Sequence, residues 1–303
     1  MLSLSHETMG AIALAILWVN TLLIVAAAYK ELAALGAFAT RLRLLTPGEV
    51  GPGLVEGRVT RGAGEGGAIA ALRVEQVGRL MRGSAPVIAF DDRPSVSEVR
   101  GGAVTTAEGA VEIEAAAGAR VEVWIARERL IGAAACVSVD AFDAAMTEAR
   151  KARGHVRSVV ATLDEGGMVY VFGALRRNGG TRVLGPAEDG TLLVSAIDPR
   201  AFCAQNQARC ALFILLALAS AAGCTALALS EPRFGLLSTL GGALGLAFFL
   251  LIQPAGTMLR DAVRTPARAA LRGRWTRPHD RDAGAEDASN RSVAASGSVF
   301  IGN

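Results

Sequence analysis

The sequence predicts an α+β membrane protein, with three transmembrane helices and one β-rich soluble domain that contains one or two helices. The chain of 303 residues is 51% hydrophobic and 19% charged, with a mean hydropathy of +0.38, whereas soluble domains carry about 25% charged residues. The apolar excess lies in three separate stretches. Between the first two, short alternating runs are divided by glycines, a pattern typical of strands.

Three stretches without a charged side chain predict the transmembrane helices: residues 9–29, 210–229 and 234–253. A helix of about 20 residues crosses the hydrocarbon layer, whereas a buried core helix is usually shorter and has a polar stripe. Residues 1–8, the N-terminal tail, contain no Lys or Arg. A signal peptide begins with positive charge, so we interpret the first stretch as an uncleaved anchor, with a cleaved signal peptide as the alternative.

The basic residues of the loops predict the orientation. They follow the first stretch, precede the second and follow the third, whereas the N-terminal tail has none and the connector 230–233 has one. By the positive-inside rule, the N-terminus lies outside, and the soluble domain and the C-terminus are cytoplasmic. We therefore expect a multi-pass protein of the cell inner (cytoplasmic) membrane. Cys136 and Cys203, the cysteines outside the apolar stretches, suit a reducing compartment.

A helical stalk is predicted for residues 30–47, because helical spacing of apolar residues continues until Thr46-Pro47-Gly48. Residues 51–201 form the predicted soluble domain, which is large enough to bury its own core. One amphipathic helix, residues 140–153, interrupts a series of short strands that fits a small barrel or a sandwich. The candidate strands are residues 54–61, 85–90, 111–115, 120–125, 158–163, 168–175, 181–184 and 191–195.

Two hairpins are predicted among these strands. Residues 111–114 and 121–124 alternate apolar and acidic side chains on either side of Gly118, which is the period-2 pattern of a half-buried hairpin. Residues 169–175 and 181–184 are joined by an Asn-Gly-Gly turn and predict a second hairpin.

A basic juxtamembrane segment, residues 258–277, follows the third apolar stretch. Apolar residues recur beside its arginines, which predicts a surface helix with arginines on anionic headgroups and Trp275 at the lipid boundary. The predicted membrane-surface residues are Arg260, Arg264, Arg268, Arg272, Arg274, Trp275 and Arg277. Because the net charge of +3 is small and mostly juxtamembrane, we expect an anionic bilayer as partner and no nucleic acid. Residues 278–303 are polar and small, which predicts a disordered tail.

Four short patterns in the soluble domain resemble the GIDE, or BAM-domain, family of membrane-anchored proteins. They are residues 54–59, 111–113 with 121–123, 163–173, and 192–195. The resemblance implies a β-rich domain between transmembrane helices. Alanine-rich residues 68–81 depart from the family pattern. Ubiquitin-ligase members carry a C-terminal zinc-binding RING; here no cysteine follows Cys224, and the tail has only His279, so ligase activity is not implied.

Two patterns support an alternative, a membrane-bound hydrolase or nucleotide-dependent enzyme. Gly62, Gly64 and Gly67 have the GxGxxG spacing after a predicted strand, which precedes a helix in dinucleotide-binding folds. A flexible glycine turn gives the same spacing. Cys136 and His155 could form a nucleophile and base pair. Cys136 lies in an apolar run, however, which is typical of a packed core residue.

Three residues of the apolar stretches predict helix packing. Asn20 is the strongly polar residue of the first stretch, and its amide can bond a neighbouring helix. Gly241 and Gly245 form a GxxxG pair in the third stretch. The short connector favours tight packing of the second and third helices, and the alternative is a homo-oligomer contact at the same glycines.

The sequence as a whole predicts a non-enzymatic scaffold or interaction protein that presents its β-rich domain to an unidentified protein partner in the cytoplasm. No cofactor, metal or catalytic residue is assigned. A transporter is disfavoured because the apolar stretches carry no ionisable residue.

Overall fold

The computed structural model describes residues 6–64, 67–81, 86–114, 118–136, 138–231, 235–264 and 274–276. The protein has three long helices around a β-rich domain with two short helices. The elements, in chain order, are α1 His6–Arg41, β1 Gly51–Gly62, β2 Ala70–Met81, β3 Val87–Val99, β4 Gly102–Thr106, β5 Gly109–Ile113, β6 Arg120–Trp124, α2 Arg127–Ala134, α3 Val139–Ala149, β7 His155–Leu163, β8 Met168–Asn178, β9 Thr181–Gly185, β10 Thr191–Ser195, α4 Pro199–Ala228, α5 Leu236–Arg264 and β11 Arg274–Thr276.

Helices α1, α4 and α5 are each long and apolar enough to cross a membrane, which confirms the prediction of three such helices. They pack against one another as a bundle. Trp18 Nε1 donates to Thr225 Oγ1 at 3.1 Å, so α4 runs antiparallel to α1. Gly256 of α5 lies against Ile24, and α5 runs parallel to α1. All three helices extend beyond the predicted stretches, and α1 continues through most of the predicted stalk before ending at Arg41.

The strands form a small barrel and a second sheet. β1, β4, β5, β9 and β8 pair in that order, and pairing of β8 with β1 closes the ring. β10 and β6 extend the first sheet from β8. The second sheet has the order β11-β3-β2-β7. The barrel agrees with the sequence-based expectation, because short strands divided by glycine turns can close a sheet and remove its edges.

The first predicted hairpin is wrong, although both of its strands exist. β5 pairs with β4 and, in parallel, with β9, whereas β6 pairs in parallel with β10. The apolar alternation of these segments defines which face of each strand is buried. It does not define the partner strand, because any strand with a complementary face fits the same pattern. The second predicted hairpin is confirmed as the antiparallel pair β8–β9.

Three strands, β2, β4 and β11, were not predicted from the sequence, and one helix is shorter than predicted. Residues 70–81 form β2, which pairs with both β3 and β7. β4, Gly102–Thr106, was not predicted. The predicted helix 140–153 is α3, with Phe142 and Ala149 buried as expected and Ser138 capping its start.

β10 is buried on both faces along its whole length, as are residues 53–55 of β1 and residues 171–175 of β8. Val55, Val171 and Val194 point into the barrel core. Their neighbours Leu54, Phe172 and Leu193 point outward, yet each is at most 1% exposed. These outward side chains pack with residues of the three long helices, in a cluster that we call the joint cluster: Leu35, Leu42, Leu54, Phe172, Ala187, Leu193, Cys203, Cys210 and Val263. The long helices therefore cover one outer wall of the barrel.

The chain connects helices and barrel through short, hydrogen-bonded segments. Leu45 N donates to Leu54 O at 3.0 Å, and Leu54 N donates to Arg43 O at 2.8 Å, so the chain after α1 pairs with β1. At the other side, three residues separate β10 from α4, whose N-terminus is capped by the Asp198 side chain accepting from Arg200 N at 2.9 Å. The end of the predicted stalk, residues 43–45, is thus paired with the soluble domain.

Phe172→Ala should lower the free energy of unfolding by about 3–5 kcal/mol, because it removes a buried ring from the joint cluster. Val160→Ala is the control, since Val160 is 40% exposed; we expect a loss below about 1 kcal/mol. Chemical unfolding of the purified protein in detergent, followed by circular dichroism, measures both. Equal losses would contradict the burial of Phe172 beneath the helices.

Candidate functional site

A group of polar and aromatic side chains in the soluble domain surrounds a cleft beside β3. We call it the Arg157 cleft; its walls are Gln76 of β2, Phe90 of β3, Ala134 of α2 and Arg157 of β7. Trp275 of β11 occupies it. β11 pairs antiparallel with β3, with Trp275 opposite Ile88.

The Arg157 guanidinium lies between two aromatic rings. Its Cζ is 3.6 Å from the centroid of Phe90 and 4.2 Å from that of Trp275. The two ring centroids are 5.0 Å apart with an interplanar angle of 69°, an edge-to-face contact. Each partly desolvated cation–π contact contributes about 0.5–2 kcal/mol. The arginine therefore links the domain to the C-terminal strand.

Hydrogen bonds fix Arg157 in this position. Its Nε donates to Gln76 Oε1 and its Nη1 donates to Ala134 O, both at 2.9 Å. Ala134 O ends α2, where backbone carbonyls lack helical partners, and it also accepts from Trp275 Nε1 at 2.8 Å. Among the described residues, the buried Arg157 Nη2 has no hydrogen-bond partner. Burial lowers the Arg157 pKa to about 10, and the nearby Asp92 carboxylate opposes this shift, so the guanidinium stays charged at neutral pH.

The structure brings Cys136 and His155, the candidate nucleophile and base, to the margin of this cleft. Each is engaged with another group. The Cys136 thiol donates to Ser138 O at 3.4 Å, and burial raises its pKa, so it stays protonated near neutral pH. His155 Nδ1 lies 2.7 Å from Glu148 Oε2, and this contact lowers the pKa of the Glu148 carboxyl. The geometry does not activate Cys136 as a nucleophile.

The glycine pattern that suggested a nucleotide site forms a turn between two strands. Gly62 ends β1, and the chain continues after Gly67 into β2 instead of a helix. Gly64 N donates to Ala68 O, which closes the turn on itself. A dinucleotide site binds pyrophosphate at a helix N-terminus, and this turn supplies none. The turn therefore lacks the helix N-terminus that the GxGxxG pattern requires.

The structure differs from the sequence interpretation at Trp275. The indole is half-buried against Phe90 and Arg157 of the soluble domain, instead of facing lipid, because these side chains supply an aromatic partner and a carbonyl for its N–H. Arg260 lies exposed on α5. The side chains of Arg264, Arg268, Arg272, Arg274 and Arg277 lie outside the described residues, so their contact with anionic headgroups stays a prediction.

Asn20 of α1 accepts a hydrogen bond from a neighbouring helix. Its Oδ1 accepts from Gln253 Nε2 of α5 at 3.0 Å. In the described part of the chain, its buried Nδ2 has no hydrogen-bond partner. Such interhelical amide contacts contribute about 0.6–2 kcal/mol in apolar surroundings.

The two glycines of the GxxxG pair face other helices of the same bundle. A Cβ added at Gly241 would lie 2.4 Å from Ala228 N, so α4 and α5 approach closely there. Gly245 lies beside Cys224 and Leu17. Of the two interpretations, hairpin packing matches this geometry; a homo-oligomer stays a prediction. Gly241, Gly242 and Gly245 all line an apolar cavity of about 970 Å³ between α1, α4 and α5.

Among the described residues, no group of three His, Cys, Asp or Glu side chains could hold a metal ion. The chain matches no protein-family model, and no curated protein sequence or solved structure is significantly similar to it. The resemblance to the GIDE, or BAM-domain, family therefore stays a prediction.

Sequence reasoning missed Gln76, Phe90 and Arg157 as site residues. A signal for two of them is present in the strand period. Alternate residues of a strand lie on the same face. Arg157 is therefore on the face of β7 that carries buried Val159, Ala161 and Leu163, and Gln76 is on the face of β2 that carries buried Leu72 and Val74. A polar side chain at an inward position of a strand indicates a buried partner.

Gly241→Ala should destabilise the protein by about 1–3 kcal/mol, because the added methyl must separate α4 from α5. Gly242→Ala is a matched control, since an added Cβ there meets nothing within 4 Å. We expect no loss in Gly242→Ala. Thermal unfolding in detergent compares the two; destabilisation of Gly242→Ala alone would contradict the packing.

Proposed function

We propose that the protein is a membrane-anchored, non-enzymatic scaffold that presents its β-rich domain to a protein partner at the cytoplasmic face of the cell inner membrane. The observation that carries this proposal is the joint cluster. It makes the soluble domain and the three apolar helices share one set of buried side chains, so the domain has a fixed orientation relative to the helices.

Aromatic and ionic contacts around the joint cluster support this fixed orientation. Phe38 of α1 lies 6.0 Å from Trp124 and 6.4 Å from Phe172, measured between ring centroids. Trp124 in turn lies 5.0 Å from Phe202 of α4. One tryptophan of β6 thus contacts both helices that lead into the domain.

Arg41, at the end of α1, adds a polar contact beside these rings. Its guanidinium lies 5.4 Å from the Phe172 centroid and 2.7 Å from Asp189 Oδ2, and this hydrogen bond lowers the pKa of the Asp189 carboxyl. Both charged side chains are more than 40% exposed, so their ion pair contributes little. The orientation of the domain rests chiefly on apolar packing.

The scaffold is favoured over the hydrolase or nucleotide-dependent alternative by the local geometry of the alternative's residues. Cys136 is held protonated, His155 is paired with Glu148, and the glycine turn leads into a strand. The positive-inside distribution of arginines supports the cytoplasmic side for the domain.

Cysteine labelling in intact cells tests the sidedness, in a Cys136→Ser background where the other native cysteines are buried. Lys151→Cys on the domain should label with an impermeant maleimide only after permeabilisation. Glu231→Cys, at an exposed position after α4, should label without it. The opposite pattern would contradict the proposed orientation.

A further inference from the structure

We propose that the Arg157 cleft and the adjoining edge of β3 form a binding site for an extended, basic segment of a partner protein centred on tryptophan. The chain's own Arg274–Thr276 occupies this site and competes with the partner. This deepens the proposed scaffold role, on which its biological meaning rests, by assigning the partner's chemistry.

The bound strand β11 defines what the site recognises. The backbone of Arg274–Thr276 pairs with residues 87–89 of β3, which selects an extended segment. The Trp275 indole combines a ring face for Arg157 with an N–H for Ala134 O. Phe and Tyr lack that indole N–H, so the site discriminates in favour of tryptophan.

The cleft is held in shape by residues of the domain itself. Arg157 keeps its bonds to Gln76 and Ala134 without any contribution from β11. Ile88 and Phe90 pack on Phe142 and Ala145 of α3, which support the strand edge from behind. A preformed site of this kind loses little conformational entropy on binding.

Among the described residues, only β11 pairs with this edge of β3. β3 has 13 residues, and β11 pairs with three of them. Position 274 lies opposite Ala89, and exposed Asp91 is the next residue on that face of β3. The position before the tryptophan is therefore on the same face as an acidic residue of β3, which favours a basic residue in a bound segment. Trp275 itself follows Arg272 and Arg274 and precedes Arg277 in the sequence.

The tether between α5 and β11 sets the strength of the competition. Residues 265–273 connect Arg264 to Arg274, and ten extended Cα steps span at most about 35 Å. A short tether gives an effective concentration on the order of millimolar. We therefore compare the affinity of a free peptide of the same sequence for two forms of the protein. Its affinity for the intact protein should be at least roughly tenfold lower than its affinity for a form in which β11 is released.

The probe is a labelled synthetic peptide of residues 271–279, measured by fluorescence anisotropy with the full chain in detergent. It should bind Trp275→Ala at least about tenfold more tightly than the parent protein, because that substitution frees the cleft. A peptide with alanine in place of its tryptophan should not bind. Adding Arg157→Met to Trp275→Ala should remove peptide binding while keeping the strand edge.

A second design leaves the cleft unaltered in case Trp275→Ala affects folding. A specific protease site is inserted within 265–273, and cleavage should raise peptide affinity to the level of Trp275→Ala. Equal affinity before and after cleavage, or no binding after it, would overturn the proposal. So would retained binding in the Arg157→Met variant. The assay needs no membrane, so its failure is distinguishable from a failed cysteine-labelling experiment.

Discussion

Burial of the outer faces of β1, β8 and β10 beneath the long helices is the constraint on which the rest of the structure depends. A strand of an isolated barrel has one apolar and one solvated face. Here β10 is buried at all five positions. Leu54, Phe172 and Leu193 are removed from water by packing in one cluster with Leu35, Leu42 and Cys203. Because each full burial of such a side chain contributes about 1.5–3 kcal/mol, separating the domain from the helices would expose a second core.

This wall organises both ends of the molecule. On one side, residues 42–50 lead from α1 into β1 and residues 196–198 lead from β10 into α4. Strand pairing therefore positions the adjoining ends of these helices. On the other side, the second sheet carries β3 and the Arg157 cleft away from the joint cluster, with α3 packed against it. The joint cluster and the Arg157 cleft are thus built from different groups of buried residues in one domain.

The sequence predicts the helices and most strands, because their signals are local: uncharged runs of about 20 residues and period-2 alternation. Partner choice is not local, so the segments 111–114 and 121–124 were paired wrongly although each is a strand. Trp275 was assigned to lipid because a basic, tryptophan-containing segment beside a membrane helix fits an interface. Its actual partners, Phe90 and Arg157, are more than 100 residues away in sequence.

The most direct test of the fixed orientation is a distance measurement by pulsed electron–electron double resonance. The spin labels are attached at Lys151→Cys and Met258→Cys, in the Cys136→Ser background. Both positions are exposed, one on the domain and one near the end of α5. A joint held by the buried cluster predicts one narrow distance distribution, which Phe172→Ala broadens by loosening the packing. A broad distribution in the protein with Phe172 intact would contradict a fixed domain and indicate a hinge between domain and helices.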